Sequence, residues 1–222
     1  MPAVIAIDGP AGAGKSSAAR RLAARLGFAH VDTGAMYRVV GVLAVEAGIA
    51  LEDDAALERL VDALRFDALG DRVLVDGRDL TEAIRRRESG ELASRVSARP
   101  VVRARLVALQ RGLATMPGVV MEGRDIGTVV FPEAPVKFFL TATAGERARR
   151  RAVELRAGGE MVDEAALAAE IARRDERDAS RPVAPLRPAA DATTLDTTGL
   201  PLDEVVATME RLARARLGRP RA

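Results

Sequence analysis

The chain has 222 residues, of which 48% are apolar, and its 34 basic and 32 acidic side chains leave a net charge of +2. This length and composition suit one domain with a substantial apolar core. The chain contains no cysteine and a single histidine, which excludes disulfides, thiolate metal sites, histidine-rich metal clusters and most acid–base schemes that use histidine.

In the first half of the chain, short apolar runs alternate with helical patterns. The patterns predict, in order, a strand at Ala3–Asp8, a helix at Lys15–Leu26, a strand at Phe28–Val31, a helix through Val45, and a helix that Asp53 or Asp54 caps and that ends near Leu64. The stretch Arg65–Thr81 then alternates apolar and polar residues around an Asp-Gly turn signal. It predicts a small antiparallel insertion.

The second half returns to the alternation of strands and helices. The patterns predict a helical region Glu82–Thr115 broken at Pro100, strands at Val119–Glu122 and Val136–Thr141, helices at Ala144–Ala157 and Asp163–Asp178, a strand at Ala192–Asp196, and a final helix. Strands separated by helices indicate an α/β fold with a mostly parallel sheet that helices cover on both faces.

Two classes of partner are disfavoured. Acidic residues are interleaved with the arginines and only 3% of the chain is aromatic, so we expect no binding to polynucleic acid. No stretch approaches the roughly 18 consecutive apolar residues of a membrane span, and the pattern of a secretory signal is missing. We therefore expect a cytoplasmic protein that does not bind membranes.

The stretch GPAGAGKSS follows the first predicted strand and opens the first predicted helix. Its Gly-x-x-x-x-Gly-Lys-Ser spacing is the P-loop pattern, in which backbone N–H groups converge on a phosphate. We expect Lys15 to reach the β- and γ-phosphates of ATP and the Ser16 hydroxyl to bind Mg²⁺. The predicted ATP-binding residues are Gly9, Pro10, Ala11, Gly12, Ala13, Gly14, Lys15, Ser16 and Ser17.

P-loop proteins include switch GTPases, motors and small-molecule kinases. The chain has no Asn-Lys-x-Asp motif for reading guanine, and DTTG at Asp196–Gly199 is interpreted as a turn after the last strand. A motor would need a longer chain. A small-molecule kinase remains, and it needs arginines that neutralise the acceptor's phosphate.

Suitable arginines occur in three stretches. DTGAMYR places Arg38 early in a helix, and EGRDIG places Arg124 and Asp125 just after a buried strand, where open α/β sheets bind ligands. RRDERDASR puts three arginines on one helical face, namely Arg174, Arg177 and Arg181. Taken alone, that last run is more typical of a solvated face of ion pairs.

GPAGAGKSS, DTGAMYR, EGRDIGTVVFPEAPVKFFLTA and RRDERDASRPVAPL together resemble the bacterial cytidylate kinase family, in order and spacing, over nearly the whole chain. The resemblance implies a P-loop kinase core with a parallel sheet of about five strands, a small antiparallel insertion in the region that binds the nucleoside monophosphate (NMP), and a short lid. The implied regions are a core of 1–32, 116–150 and 185–222, an NMP-binding region of 33–115, and a lid with the arginine helix at 151–184.

The resemblance also implies how the acceptor CMP is held. Arginines matching Arg38 and Arg124 hold its 5′-phosphate, those matching Arg174 and Arg181 reach that phosphate as the lid closes, and the aspartate matching Asp178 holds the ribose hydroxyls. The implied CMP-binding residues are Thr33, Tyr37, Arg38, Ser94, Arg103, Arg124, Asp125, Arg174, Asp178 and Arg181. The implied catalytic residues are Lys15, Arg124, Arg174 and Arg181.

The residues matching Ser94, Arg103 and Asp125 are implied to read the cytosine, and the chemistry agrees. A carboxylate accepts from the exocyclic amine of cytosine, and an arginine donates to the ring nitrogen and carbonyl. Uracil would oppose two acceptors at the carboxylate, which is costly. We therefore expect CMP and dCMP as acceptors. A kinase for UMP or AMP, or a non-enzymatic NTP-binding switch, is the alternative.

The expected reaction converts ATP and CMP to ADP and CDP, with Mg²⁺ as cofactor. The acceptor phosphate is largely ionised near neutral pH, so no general base is needed, which agrees with a chain that has one histidine. A lid near Arg156–Val162, whose glycines permit a hinge, is expected to exclude water. The family resemblance implies a monomer whose partners are these small molecules.

Two residues next to the second predicted strand remain. His30 is expected to be structural, since no partner motif accompanies it. Asp32 follows the strand on the phosphate-binding side and is a candidate to bind Mg²⁺ through water. A capping or ion-pair role is the alternative for Asp32.

Overall fold

A computed structural model describes residues 3–69, 72–114, 117–159 and 161–218. The strands are β1 (Ala3–Asp8), β2 (Ala29–Asp32), β3 (Phe66–Leu69), β4 (Val73–Val75), β5 (Arg78–Asp79), β6 (Gly118–Gly123), β7 (Val136–Thr141) and β8 (Thr193–Asp196). The α-helices are α1 (Lys15–Leu26), α2 (Thr33–Glu46), α3 (Asp54–Ala63), α4 (Arg87–Val96), α5 (Pro100–Gly112), α6 (Ala144–Ala157), α7 (Glu164–Ser180) and α8 (Leu202–Leu217). Ala83–Arg85 forms a 3-10 turn and Ile126–Val130 a π-helical segment.

Some expectations fall on residues outside these ranges. The hinge expected at Arg156–Val162 includes Glu160, and the predicted insertion includes Gly70 and Asp71; these residues lie outside the described ones. Among the described helices, none combines the length and the apolar character that crossing a membrane requires.

The main sheet has five strands in the order β2-β6-β1-β7-β8. The first strand of the chain is central, since β1 pairs in parallel with both β6 and β7, and β7 pairs in parallel with β8. Parallel neighbours need crossover connections, which the helices supply. The predicted α/β fold with about five parallel strands flanked by helices is confirmed.

The chain divides into two compact units, and the boundary falls within β2. The first unit contains the residues up to His30 and those from Ala114 onward. Its core packs α1, α8 and the central strands together, with Ile5, Leu22, Phe138 and Met209 almost fully buried. The final helix, α8, turns its apolar face into this core.

The second unit is the continuous stretch Val31–Leu113. Helices α2, α3, α4 and α5 surround its core, and a small antiparallel sheet of order β3-β4-β5 adds Val73 and Val75 to it. Asp76 and Gly77 have φ of 50° and 74°, as a tight hairpin turn requires. The predicted antiparallel insertion is therefore confirmed. Pro100 opens α5, where its missing N–H costs no helical hydrogen bond.

Candidate active site

The phosphate loop connects β1 to α1 through three glycines with positive φ, which are Gly9 at 147°, Gly12 at 75° and Gly14 at 83°. A Cβ on Gly9 would lie 2.0 Å from the carbonyl oxygen of Leu140, and one on Gly12 would lie 2.9 Å from the Cβ of Arg147. At Gly14 the nearest atom would be 3.5 Å away. Two of the three glycines are therefore required by close packing of the loop against the protein itself, as well as by their φ.

Lys15 is the first residue of α1 and its side chain is 7% exposed. Its Nζ donates a hydrogen bond to the carbonyl oxygen of Pro10 at 2.8 Å, which folds the ammonium over the loop. The first turn of α1 contains no acidic residue, so nothing on it opposes the attraction of an anion to the helix N-terminus. The expected phosphate cradle is thus built from backbone dipoles and one lysine.

Ser16 faces a carboxylate that sequence reasoning missed. Its Oγ donates to Glu122 Oε2 at 2.8 Å, and the other oxygen of Glu122 lies 3.0 Å from His30 Nε2. Glu122 is 2% exposed, near the end of β6. The signal for it was a charged residue inside the apolar run VVMEG, since an acidic side chain is rarely buried without a partner. His30 has this carboxylate as its partner.

Asp32 is the N-cap of α2 and accepts a hydrogen bond from the Ala35 N–H at 3.1 Å. Its Oδ2 is also 3.7 Å from Nη1 of Arg38. The first contact is a helix cap and the second is an ion pair, which are the alternative roles expected for Asp32. The Mg²⁺ role of Asp32 stays a prediction.

Within Val31–Leu113, the implied CMP residues lie on three helices. They are Thr33, Tyr37 and Arg38 on α2, Ser94 on α4, and Arg103 on α5. All but Arg38 are buried, and Nη1 of Arg103 lies 3.5 Å from the Tyr37 hydroxyl. A buried arginine and tyrosine from separate helices are thus brought together in this unit.

The first unit brings together the other arginines around one carboxylate. Asp178, on α7, is 1% exposed. Arg124 Nε lies 3.2 Å from its Oδ2, Arg174 Nε lies 3.9 Å from the same oxygen, and Arg181 binds its Oδ1. We call this group the arginine cluster. Arg177, the third arginine of the predicted face, is exposed. Arg181 lies just after α7, at its C-cap, so the predicted helical face is not formed as such: the cluster uses Arg174 and Asp178 of α7 and Arg181 at the helix end.

The charge balance of the arginine cluster favours an ionised Asp178. Burial by itself raises the pKa of this carboxyl, but the nearby guanidinium groups of Arg124, Arg181 and Arg174 outweigh burial and hold the pKa below its usual value. The cluster therefore carries an internal anion in the position where three cations meet.

Asp125 follows Arg124 in the chain and is also buried. Its carbonyl oxygen accepts from the N–H groups of Val129 and Val130, which closes the π-helical segment. The next two residues, Ile126 and Gly127, donate their N–H groups to Asp8 at 2.8 and 2.7 Å. The backbone next to the candidate base-reading carboxylate is therefore hydrogen-bonded both at the Asp125 carbonyl and at the two N–H groups that follow it.

Asp8 and Arg147 are two further site residues that the sequence did not reveal. Burial raises the pKa of Asp8 to about 6, even though the two backbone bonds lower it. Arg147, on α6, donates to the Ala11 carbonyl of the phosphate loop at 3.3 Å and also binds Asp175 of α7. The loop and the helix of the arginine cluster are thus joined through one buried guanidinium.

Comparison with known proteins gives the chain a family. It matches the protein family described as Cytidylate kinase over residues 5–215. The chain belongs to the cytidylate kinase family. Cytidylate kinase from Geobacter sp. (strain M21) is 50% identical over 218 residues, covering 96% of this chain and 94% of that protein. Cytidylate kinase from Carboxydothermus hydrogenoformans is 51% identical over 209 residues, covering 92% of this chain and 94% of that protein.

Two solved structures have a fold similar to that of this chain. An uncharacterized protein from Eubacterium ventriosum ATCC 27560 gives a TM-score of 0.54 at 13% identity, covering 96% of this chain and 99% of that chain. A gluconokinase from Sinorhizobium meliloti 1021 gives 0.51 at 17% identity, covering 98% and 97%. At these identities the similarity shows the fold alone.

Proposed function

We propose that the chain is an ATP-dependent nucleoside monophosphate kinase that transfers the γ-phosphoryl group of ATP to CMP and to dCMP. The observation that carries this is the pairing, in one compact unit of a cytidylate kinase family member, of a phosphate loop with the arginine cluster. These are cationic sites for two separate phosphate groups. Family membership does not favour UMP or AMP as acceptor, nor a non-enzymatic switch.

The ATP phosphates are proposed to bind at Gly9–Ser17. The Nζ of Lys15 would exchange the Pro10 carbonyl oxygen for phosphate oxygens. The N-terminus of α1 adds backbone N–H groups directed at the same anion.

The residues beside Ser16 fit Mg²⁺, a hard cation that prefers oxygen ligands. The Ser16 hydroxyl and the buried Glu122 carboxylate already lie in contact, and a buried acid of this kind suits a cation held partly through water. When bound with ATP, Mg²⁺ would neutralise charge on the β- and γ-phosphates. The contact with His30 orients Glu122. Asp32 is retained as a second candidate ligand.

A titration of the rate against Mg²⁺ separates the two acids. Glu122→Gln is expected to raise the Mg²⁺ concentration for half-maximal rate about tenfold, the loss typical of a partner that orients a ligand. Asp32→Asn keeps a good N-cap residue, so it should shift the titration only if Asp32 helps to bind the ion. An unchanged titration in Glu122→Gln would remove Glu122 from the metal site.

On the acceptor side, we propose that Arg124, Arg174 and Arg181 bind the phosphate of CMP, and the family resemblance adds Arg38 to this set. The acceptor phosphate would take over from Asp178 as the anion among these guanidiniums. Asp178 is then available for the ribose hydroxyls, as the family resemblance implies. Arginine suits this exchange, because its planar fork binds carboxylate and phosphate in the same way.

The cytosine is proposed to be read by Ser94, Arg103 and Asp125, with Thr33 and Tyr37 lining the acceptor. Asp125 would accept from the exocyclic amine, and Arg103 would donate to the ring. The Tyr37 hydroxyl lies next to the Arg103 guanidinium and supports its orientation. Because uracil offers a carbonyl in place of the amine, this set favours CMP over UMP.

The chemistry is proposed to rest on positioning and charge neutralisation. An ionised acceptor phosphate needs no base, so the residues that matter are the cations that hold both phosphates in line. We also propose that 33–115 forms the NMP-binding region and that 151–184 forms a lid that excludes water. The core would be 1–32, 116–150 and 185–222, in a cytoplasmic monomer.

A coupled assay of ADP release tests the proposal, using ATP and Mg²⁺ with CMP, dCMP, UMP or AMP. We expect kcat/KM to be highest for CMP and dCMP. A tenfold advantage for UMP or AMP would show that the base assignment is wrong. ADP release that does not depend on any acceptor would favour the switch. Asp125→Ala should damage CMP use far more than ATP binding, and equal damage would contradict its role.

A further inference from the structure

The carboxylate of Asp8 occupies a junction that the proposed mechanism does not use. Asp8 ends β1, immediately before the phosphate loop, and is only 3% exposed. Its Oδ1 accepts from the Ile126 N–H at 2.8 Å and its Oδ2 accepts from the Gly127 N–H at 2.7 Å. Both acceptor oxygens are therefore used on consecutive amides that lie 118 and 119 residues further along the chain.

The two amides belong to the residues that follow Asp125. On the other side, the Asp125 carbonyl is fixed by the N–H of Val129 at 2.9 Å and of Val130 at 3.2 Å. Asp125 itself has φ −147° and ψ 25°, outside regular helix and strand values. Asp8 supplies acceptors for the two N–H groups that follow this residue, so it helps to hold the backbone there.

Gly127 shows how closely Asp8 is fitted. A Cβ on Gly127 would lie 3.3 Å from Asp8 Oδ2 and 3.1 Å from Lys137 Cδ. The Lys137 ammonium is held by Asp191 at 2.9 Å and by the Pro132 carbonyl, so its stem is not free to move away. A side chain at position 127 would therefore crowd both Asp8 and the Lys137 stem at the place where the Gly127 N–H approaches Asp8.

We propose that Asp8 is a positioning residue for base discrimination, which fixes the backbone after Asp125 so that the Asp125 carboxylate is presented to the cytosine amine in one place. This inference rests on the proposed role of Asp125. Only a carboxylate offers two equivalent acceptor oxygens without a donor, so an amide in its place can satisfy one N–H group and must oppose the other.

The charges that act on Asp8 come from both proposed substrate sites, the one for CMP and the one for ATP. The electrostatic groups that act on Asp8 are the Asp125 carboxylate and the Lys15 ammonium, which is the proposed ATP ligand. The charge of Asp125 opposes ionisation of Asp8, and the bonds through which Asp8 holds this segment are those to the backbone N–H groups of Ile126 and Gly127. Its influence on the base is thus indirect.

The test compares kcat/KM for CMP and for UMP in wild type, Asp8→Asn, Asp125→Asn and the double variant. The ratio of the two values cancels the phosphate, which both substrates share. Asp8→Asn is expected to lower the ratio about tenfold, the effect of one mispaired buried hydrogen bond, while the KM for ATP stays within about twofold. In the Asp125→Asn background, the same change is expected to leave the ratio unaltered.

Two further variants keep the test decisive. Gly127→Ala, which crowds the same amide, should lower the ratio in the same direction and carries the test if Asp8→Asn fails to fold. Asp53→Asn is the matched control, because Asp53 accepts one backbone N–H at the start of α3 and asparagine caps equally well. It should change neither the ratio nor the thermal stability.

The outcomes distinguish this inference from the function on which it rests. A wild type that uses UMP as well as CMP overturns the proposed substrate and this inference with it. A selective wild type whose ratio is unchanged in Asp8→Asn and Gly127→Ala overturns the inference alone. An equal fall of the CMP-to-UMP ratio in the Asp125→Asn background also overturns the inference alone. A loss of rate shared by both substrates does the same. Either result would mean that Asp8 only supports the phosphate loop.

Discussion

The phosphate loop and the arginine cluster hold their cations in different ways. At the loop, the Lys15 ammonium rests on a neutral carbonyl oxygen of the loop itself. In the cluster, three guanidinium groups rest on the buried carboxylate of Asp178. The loop is shaped by glycines packed against β7 and α6, whereas the cluster is held by charge.

This difference predicts different responses to ligand. An anion entering the loop meets oriented dipoles and the Lys15 ammonium. An anion entering the cluster competes with an internal carboxylate for the same donors. We therefore expect the glycine-shaped loop to change less on binding a phosphate than the cluster, where the ligand must displace Asp178 from the guanidinium groups.

The largest effect is expected from removing the loop cation. Lys15→Met keeps the apolar stem and loses the charge, so kcat should fall about 1000-fold, as when a main transition-state donor is removed. Thermal unfolding should change much less than kcat, because methionine keeps the apolar packing of the lysine stem. Arg20→Met, on the exposed side of the same helix, is the control and should keep its rate. A modest fall in kcat would show that the loop does not depend on its one lysine.

The second largest effect is expected from removing the internal anion of the arginine cluster. Asp178→Asn leaves three buried or half-buried guanidinium groups without a carboxylate partner at this position, so the free energy of unfolding should fall by about 3 kcal/mol. Added sulfate should restore part of the loss in the variant and do less for the wild type. Because the pKa of Asp178 is lowered, its contribution is present above the ordinary pKa of an aspartate and is lost as the pH falls below it. An unfolding free energy equal to that of wild type, without sulfate, would contradict the charge-held cluster.

A pH series sharpens the comparison at Asp8, whose pKa is raised by burial although the Lys15 ammonium acts to lower it. The raised pKa of about 6 means that the native state retains a proton that the unfolded state releases near pH 4. Stability from this group is therefore greatest below pH 4 and is lost as the pH rises through 6. From pH 4 to pH 7, the unfolding free energy of wild type should fall by about 2 kcal/mol relative to Asp8→Asn. Parallel curves for the two proteins, measured by denaturant unfolding, would contradict the burial of this charge.

The smallest effect tests what the loop glycines are for. Gly14→Ala meets no atom closer than 3.5 Å, so only its positive φ opposes the change and the expected loss is about 1 kcal/mol. Gly9→Ala is the contrasting variant, since its Cβ would overlap the Leu140 carbonyl, and it should lose far more stability. Equal losses in thermal unfolding would show that packing does not shape the loop.

Much of the fold was predictable because local signals mark the ends of its elements. The bounds of Lys15–Leu26, Val136–Thr141 and Ala144–Ala157 agree with the structure, and Asp53 caps α3 as one of two candidates. The second strand runs from Ala29 to Asp32, one residue later than predicted. The π-helical segment was missed, because its conformation depends on hydrogen bonds to Asp8 from more than a hundred residues away.

The candidate site was likewise predictable only where its residues belong to one local motif. The P-loop spacing indicates Lys15 and Ser16 directly, since each has a fixed place in one short motif. Glu122 and Arg147 act through contacts with Ser16 and Ala11, which lie 106 and 136 residues away. The charge of Glu122 inside an apolar run indicates that it needs a partner, but no local pattern reveals which partner either residue has. The roles of the CMP residues stay predictions drawn from the family resemblance, although the structure places Arg124, Arg174, Asp178 and Arg181 together.

The order of strands in the main sheet has a consequence for how the chain acquires its structure during synthesis. The central strand β1 is made first, but its neighbour β6 begins at Gly118, after the whole of Val31–Leu113. That intervening stretch is continuous and has its own core, so it can fold while β1 still has both edges open. The segment proposed to bind ATP therefore leaves the ribosome before Val31–Leu113 and is among the last parts to be completed. Slow, non-local pairing of this kind makes β1 the strand most exposed to misassembly before the chain is finished.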